Sequence, residues 1–416
     1  MAEIKEQIVW KFADKLRPVI PFYGFSSSAI ELIFIKYLSN ISFQEEYKNM
    51  FLSKKLDINL INKTLKSVEN TFIIDSNLLN IVLEDLIKIF TDKEEYIFTV
   101  LNDFEIPNNS FEMTKLIELI ISYGENKDVS KTELSSTNTS LIELVNKILD
   151  VKENETYMDS FAGFSISSLK INAKRYLGYE INSKVAAIAN IIMILTGKDN
   201  FSIRNQSYYL VDSHCIADKV FSDGPITGTL SIDEYHLLGK QSKKVEYYNV
   251  KKSVESIKPN GKAVVTCTAG VLFRNDLKKL REQLTLKNLS AAIALPPLWK
   301  GTTIPTNLLV FKNERQGDNI VMIDASANDY IYKIDKRIIM LTGETIEKII
   351  DSLNGNTIEG FSSIVSSKTI LNESQDCSWA PTQYIKKKNN VCFRPSKEIK
   401  EELDKAYDDL SKLLKK

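Results

Sequence analysis

Beyond Asn126 the chain alternates between short β-prone runs and helical ones, and this alternation constrains the fold more than any other feature. The runs TYMDSF, RYLGYEI, ADKVFSD, GKAVVTCT, AAIALP and NLLVFKN are separated by stretches that favour helix, one of them over 183–196. Strands alternating with helices predict a mainly parallel sheet covered on both faces. In such folds ligands bind beyond the carboxyl ends of the strands, near the switch in strand order. Residues 1–125 instead read as helical throughout, with Ile8, Phe12 and Leu16, then Ile30, Ile33, Phe34, Tyr37 and Leu38, at three- and four-residue spacing. Ser26, Ser27 and Ser28 are expected to cap the second of these runs. After residue 330 the pattern weakens. A helix is expected over 343–353, then a polar, Ser-rich stretch to Asp376, then a charged helix over 396–416 that suits a solvated cap or a docking surface. The organisation read from this is a helical domain over 1–125, an α/β domain over 126–395 and a C-terminal helix over 396–416.

Composition narrows the chemistry. The 54 cationic side chains balance 54 acidic ones, which argues against holding nucleic acid by bulk charge alone. Only eight of the cations are arginine, so bidentate phosphate or guanine clamps are few. Four cysteines without CxxC spacing and two histidines, His214 and His236, give no metal-ligand pattern, and reduced thiols are expected. His214-Cys215 are adjacent, a poor geometry for a nucleophilic pair. The longest apolar stretch, Val185 to Thr196, is too short to span a bilayer, and the amphipathic N-terminus does not read as a signal peptide. A soluble, cytoplasmic protein is the expectation.

Two strand ends carry candidate binding residues. The first runs into Asp159-Ser160-Phe161-Ala162-Gly163-Phe164-Ser165, a glycine turn that lets backbone amides approach a ligand. The second ends at Gly178-Tyr179-Glu180, about twenty residues on, where an acid can accept from both ribose hydroxyls. Glu180 could equally cap the next helix.

The wider sequence resembles the methylation subunits of type I restriction–modification systems, adenine-N6 DNA methyltransferases that use S-adenosylmethionine. The resemblance rests on Asp159-Ser160-Phe161-Ala162-Gly163-Phe164-Ser165 against the family's D-P-F-A-G-S-G, and on Thr137-Asn138 and Glu155-Thr156-Tyr157-Met158-Asp159 upstream. Gly178-Tyr179-Glu180-Ile181-Asn182 matches G-x-E-x-N. Further matches lie in Ala13–Arg17, Phe34–Ser39, Gly270–Phe273, Leu280-Arg281, Leu295-Pro296-Pro297, Thr306–Val310 and Trp379–Tyr384, so the likeness covers nearly the whole chain in order.

The resemblance implies a Rossmann-like, class I methyltransferase domain with a mainly parallel seven-stranded sheet behind a helical N-terminal domain. It implies that Asp159, Phe161, Gly163, Glu180 and Ile181, with Thr137 and Gln206, hold S-adenosylmethionine. It places Asp223-Gly224-Pro225-Ile226 at the family's catalytic N/D-P-P-F/Y, where an acceptor and a backbone carbonyl orient the target amine and an aromatic ring stacks on the flipped base. Implied partners are DNA, read through a separate specificity subunit, and a restriction or second methylation subunit. The chain departs from the family at Asn138 and Ser160, where proline is expected, at Ser165, where glycine is expected and a side chain would crowd the cofactor, and at Gln206, where the family has an acid. Gly224 and Ile226 replace the proline and the ring. These departures leave two other readings open: a degenerate methyltransferase fold serving as a subunit of a DNA-modification or defence complex, or methylation of another substrate.

Overall fold

A computed structural model describes residues 6–21, 24–41, 44–127, 137–212, 214–299, 302–333, 339–372, 374, 376–385, 400 and 402–404. The expected helix over 396–416 lies almost wholly outside them. The first part of the chain is helical: α1 (Glu6–Leu16), α2 (Phe25–Ile41), α3 (Gln44–Ser53), α4 (Ile58–Phe72), α5 (Asn80–Phe90), α6 (Glu94–Asp103), α7 (Ser110–Lys127) and α8 (Thr139–Leu149). Then follow β1 (Thr156–Asp159), β2 (Arg175–Glu180), α9 (Ser183–Leu195), β3 (Phe201–Asn205), β4 (Ala217–Ser222), α10 (Ile232–Leu237), α11 (Val245–Glu255), β5 (Ile257–Cys267), α12 (Ala269–Phe273), α13 (Lys278–Lys287), β6 (Leu289–Ala294), β7 (Asn307–Lys312) and β8 (Asn319–Asp324). A short hairpin of β9 (Ile331–Lys333) and β10 (Ile339–Leu341), then α14 (Gly343–Leu353), β11 (Ser362–Ser366) and α15 (Ser367–Asn372), complete it.

The main sheet has nine strands in the order β11-β8-β6-β7-β5-β4-β1-β2-β3. Seven run one way, and β7 and β11 run against them. The seven strands expected are all there, and β8 and β11 extend the sheet beyond β6. The second of these comes from the Ser-rich stretch that looked featureless: SSIVS holds its register against β8 although only two of its five residues are large and apolar. The chain leaves β3 at one edge and returns to β4 beside β1, so the switch in strand order lies between β1 and β4.

The long apolar run after Glu180 becomes α9, whose residues from Val185 to Leu195 are all buried. A helix that is apolar all round must be covered all round. The sheet covers one side of α9, and α2, α5 and α7 cover the other, so one continuous hydrophobic core runs from the helical segment into the sheet. Gly124 permits this packing, because a Cβ there would stand 2.1 Å from the Ser26 hydroxyl. Two local expectations are corrected. The serines at 26–28 do not cap α2, which already begins at Phe25, and the Ser26 hydroxyl donates to the Ile120 carbonyl. In α1 the buried face is Val9, Phe12, Ala13 and Leu16, while Ile8 is exposed. Among the described residues, no helix is long and apolar enough to cross a membrane.

Glu31 is the anomaly of this core. It sits on α2, fully buried, and neither carboxylate oxygen has a hydrogen-bond partner among the described residues. Burial pushes its carboxyl up to about 8, only partly offset by Lys184. An acid whose folded pKa lies above its unfolded one costs stability as pH rises between the two values, here from about 4.5 to about 8. Glu31→Gln is therefore expected to gain stability over the wild type across that window, by up to about 1.4 kcal/mol per pH unit. Urea unfolding of both proteins at pH 5 to 9 checks this; parallel curves would refute it.

Candidate active site

Apart from Thr137, which precedes α8, the candidate residues lie at or just past the carboxyl ends of β1 to β4, around the switch point. Asp159 ends β1, Glu180 ends β2, and Gln206 and Asp223 come immediately after β3 and β4. A cavity of 840 Å³ opens there, and all eleven residues singled out in the sequence line it: Thr137, Asp159, Phe161, Gly163, Glu180, Ile181, Gln206, Asp223, Gly224, Pro225 and Ile226.

On the side of β1 and β2, Gly163 has φ +50, and a Cβ there would meet no protein atom within 4 Å, so the turn presents bare backbone to open space. Its amide donates to Glu180 Oε2 at 3.2 Å, while Glu180 Oε1 accepts from the Asn182 amide at 2.7 Å. Asn182, not Glu180, caps α9, accepting from the amides of Lys184 and Val185. Glu180 is thereby free of the capping role and holds the turn against its own strand. Burial raises its carboxyl, and the Asn182 and Gly163 amides oppose that rise. Asp159 lies deeper. It accepts from the Phe161 amide at 3.1 Å and from the Ser167 hydroxyl, and burial pushes it up to about 7 against those bonds.

On the other side, Asp223 is held by three donors. Thr266 Oγ1 at 2.6 Å and Trp299 Nε1 at 3.1 Å meet Oδ1, and Thr137 Oγ1 at 2.7 Å meets Oδ2. A carboxylate has about four lone-pair sites, so one remains, on Oδ2. Thr137, expected at the cofactor, thus gives its hydroxyl to the loop after β4. The Pro225 carbonyl accepts from Asn249 Nδ2 at 3.0 Å, which anchors the loop to α11.

Several departures acquire a structural reason. Ser160 donates its amide to the Phe221 carbonyl at 2.9 Å, a bond that proline could not make. Asn138 caps α8 by accepting from the amides of Ser140 and Leu141, and its Nδ2 donates to the Ile339 carbonyl. Gly224 lies against the Phe161 ring: a Cβ would stand 2.5 Å from it, so proline here would force the ring to move. Ser165 is a correction. It is not among the residues lining the cavity; it is buried, at φ +58, with no partner for its hydroxyl among the described residues. The left-handed backbone is what makes glycine natural at this place, and a serine costs about 1–2 kcal/mol in it.

Residues the sequence did not flag complete the site. Trp299 lies on the wall, two residues past Pro297, and sets an aromatic ring in the cavity that Ile226 cannot supply. Phe161 packs edge-on against Tyr208 and tilted against Tyr209, which also line the cavity. Near Gln206, which is exposed, Ser207 donates to Glu234 Oε1 at 2.7 Å and brings that carboxylate to the cavity wall. Only Trp299 had a sequence signal, its place after Leu295-Pro296-Pro297.

The strand order, with one reversed strand between β5 and β6, and the glycine turn and acid at the first two strand ends define a Rossmann-like class I methyltransferase fold. The family model for N-6 DNA methylases matches residues 113–391, well over half of the chain. The chain belongs to the N-6 DNA methylase family. In fold it is similar to the methyltransferase subunit of a type I restriction-modification system from Streptococcus thermophilus, at TM-score 0.70 and 19% identity over 92% of this chain and 99% of that one. It is also similar to a chain from a structure on complex assembly and conformational transition of the type I R-M system, at TM-score 0.68 and 14% identity over 98% and 96%.

Proposed function

We propose that the chain is the methylation subunit of a type I-like system and transfers a methyl group from S-adenosylmethionine to the exocyclic amine of adenine in DNA. The observation that carries this is the Asp223 carboxylate, held by three donors with one acceptor site left, in the same cavity as the Gly163–Glu180 cradle. The residues present suit the cofactor. A cavity of 840 Å³ lies in the usual range for ligand sites. The bare backbone at Gly163 admits close approach, and Glu180 is placed to accept from ribose hydroxyls. Phe161 and Ile181 would pack along the cofactor, Asp159 would lie beneath it, and Gln206 would accept from its adenine.

S-adenosylmethionine supplies an electrophilic methyl on a sulfonium. The chain's part is to aim the amine at it. Asp223 Oδ2 accepts an amine hydrogen, the Gly224 carbonyl offers a second acceptor, and Pro225 stiffens the loop, so that the nitrogen lone pair turns toward the methyl group. Ile226 and Trp299 bracket the base, which must be flipped out to reach the cavity. With charges balanced overall, DNA recognition is assigned to a separate specificity subunit, with a restriction or second methylation subunit in the same assembly. The organisation into a helical domain over 1–125, a methyltransferase domain over 126–395 and a terminal helix belongs to the same reading.

Calorimetric titration with S-adenosylmethionine is the first test, and saturable binding is expected. Methyl incorporation into adenine-containing duplex DNA is then expected from the chain with its co-purified partners. No binding at high protein concentration would overturn the proposal. Binding without transfer in the full assembly would favour the reading of a catalytically degenerate subunit, which the contact between Gly224 and Phe161 in place of the family's proline already motivates.

A further inference from the structure

The geometry points to Asp75, in the helical segment, as a positioning residue for the cofactor cradle, acting through Asn205. This rests on the cofactor site proposed above and adds to it a residue some hundred positions away from the cradle in sequence.

The turn after α4 is itself firmly held. Ile73 and Asn77 take left-handed backbone, and the buried Glu69 accepts from the amides of Asn77 at 3.1 Å and Leu79 at 2.8 Å. Phe72 stacks on Phe201 of β3, with centroids 5.6 Å apart, and brings this turn to the free edge of the sheet. Asp75 then meets that edge: Oδ2 accepts from the Asn205 amide at 2.9 Å, and Oδ1 accepts from Arg204 Nη1 at 3.0 Å. The edge strand has an amide left over there, and the carboxylate takes it in place of a neighbouring strand.

Asn205 passes the constraint on. Its Nδ2 donates to the carbonyls of both Glu180 and Ile181, each at 3.0 Å. Those two residues line the cavity, and the Glu180 carboxylate accepts from the amides of Gly163 and Asn182. Asp75 fixes the backbone of Asn205; Asn205 fixes the backbone at 180–181; and this backbone decides where the Glu180 carboxylate stands. A second carboxylate of the helical segment, Asp85, pairs with Lys184 on the first turn of α9, just past the same loop. An acid at the end of β2 can accept from a ribose only if its backbone does not slide; the β3 ladder holds it, with the Gln206 amide donating to the Glu180 carbonyl at 3.1 Å, and the helical segment braces the end of that ladder.

The test compares Asp75→Ala, Asp75→Asn, Asn205→Ala and Arg204→Ala in the full chain. Amide hydrogen exchange is read in the free protein, and the dissociation constant for S-adenosylmethionine is read by calorimetry. Asp75→Ala is expected to speed exchange at Gly163 and Asn182 at least tenfold and to weaken cofactor binding at least fivefold, with α9 still protected. Asp75→Asn keeps an acceptor and is expected to restore most of both. Arg204→Ala removes the half-exposed ion pair and a hydrogen bond to Ser202, neither of which holds the Asn205 backbone, and should leave both unchanged. The double variant Asp75→Ala/Asn205→Ala should bind no worse than Asn205→Ala alone, because both act along one path. Unchanged exchange at Gly163 and Asn182 in Asp75→Ala, an equal effect from Arg204→Ala, or additive losses in the double variant would overturn the inference. If the wild type binds no cofactor, the cofactor assignment falls, and the exchange rates still decide whether Asp75 positions the turn.

Discussion

Asp223→Ala is expected to lower the rate of methyl transfer about 10²–10³-fold, with cofactor affinity nearly unchanged. The substitution removes the acceptor that turns the amine, takes the same acceptor from the Thr137 hydroxyl and the Trp299 indole, and leaves Thr266 only its longer bond to the Ser222 carbonyl. Asp223→Asn is the more telling variant. Trp299 Nε1 can only donate, so the amide oxygen must take the place of Oδ1, and the amide NH2 then occupies the place of Oδ2. A donor would stand where the target amine needs an acceptor, and the loss should match that of alanine. Removing the indole donor as well, in Asp223→Asn/Trp299→Phe, frees the amide to turn over and should recover part of the lost rate. Single-turnover transfer at saturating cofactor measures all three. Retention of a third or more of the rate in Asp223→Ala would sink the catalytic assignment, and an active Asp223→Asn single variant would sink the argument from Trp299.

The largest stability effect is expected at Arg281. This side chain, on α13, is fully buried, and its guanidinium donates to four backbone carbonyls: Cys377 at 3.0 Å, Val271 at 3.1 Å, Arg274 at 2.8 Å and Asp376 at 2.8 Å. It thereby fastens α12 and the start of α13 to the segment that carries Trp379. That tryptophan is also buried, donating its indole N–H to Thr285 at 2.8 Å and its backbone amide to the Leu272 carbonyl. Arg281→Ala takes the guanidinium from all four carbonyls and leaves only that of Arg274 with another donor, the Leu277 amide, among those described; the cost is expected to be about 3–5 kcal/mol. Arg281→Lys fits the space but has one compact ammonium in place of a planar fork, and should lose about half as much. Urea unfolding gives both values. A loss below about 1 kcal/mol in the alanine variant would mean that water satisfies the carbonyls and that Arg281 is not the fastening.

Much of the site was legible because the chemistry of an α/β protein follows strand ends, and strand ends can be read from short apolar runs closed by glycine or acid. Asp159, Glu180 and Asp223 each terminate such a run, and the structure gathers them at one switch point. Thr266, near the end of β5, was not legible, and Trp299, on the connection from β6 to β7, had only its place after Leu295-Pro296-Pro297 to mark it; the pairing of β4, β5 and β7 is what brings both to Asp223. The substitutions at Ser160 and Asn138 look like losses in a motif, yet each supplies a hydrogen bond whose partner, Phe221 or Ile339, lies far along the chain. Ser165 was misread for a related reason: a motif gives the order of residues around a turn but not which of them face inward. β11 escaped notice because an edge strand of small polar residues takes its register from its neighbour rather than from its own pattern.

The encasement of α9 bears on how such a chain can change over evolutionary time. A module that travels between genes must leave no raw apolar surface behind when it departs. Here the boundary that composition suggests near Asn126 is not a seam of that sort, because the residues before it roof a helix that is buried on every side from Val185 to Leu195. Recombination at that point would deliver a sheet with an exposed greasy flank to one descendant and a roofless bundle to the other. The two halves are therefore bound to a common inheritance, and an exchange of either one would have to carry its matching half of the core with it.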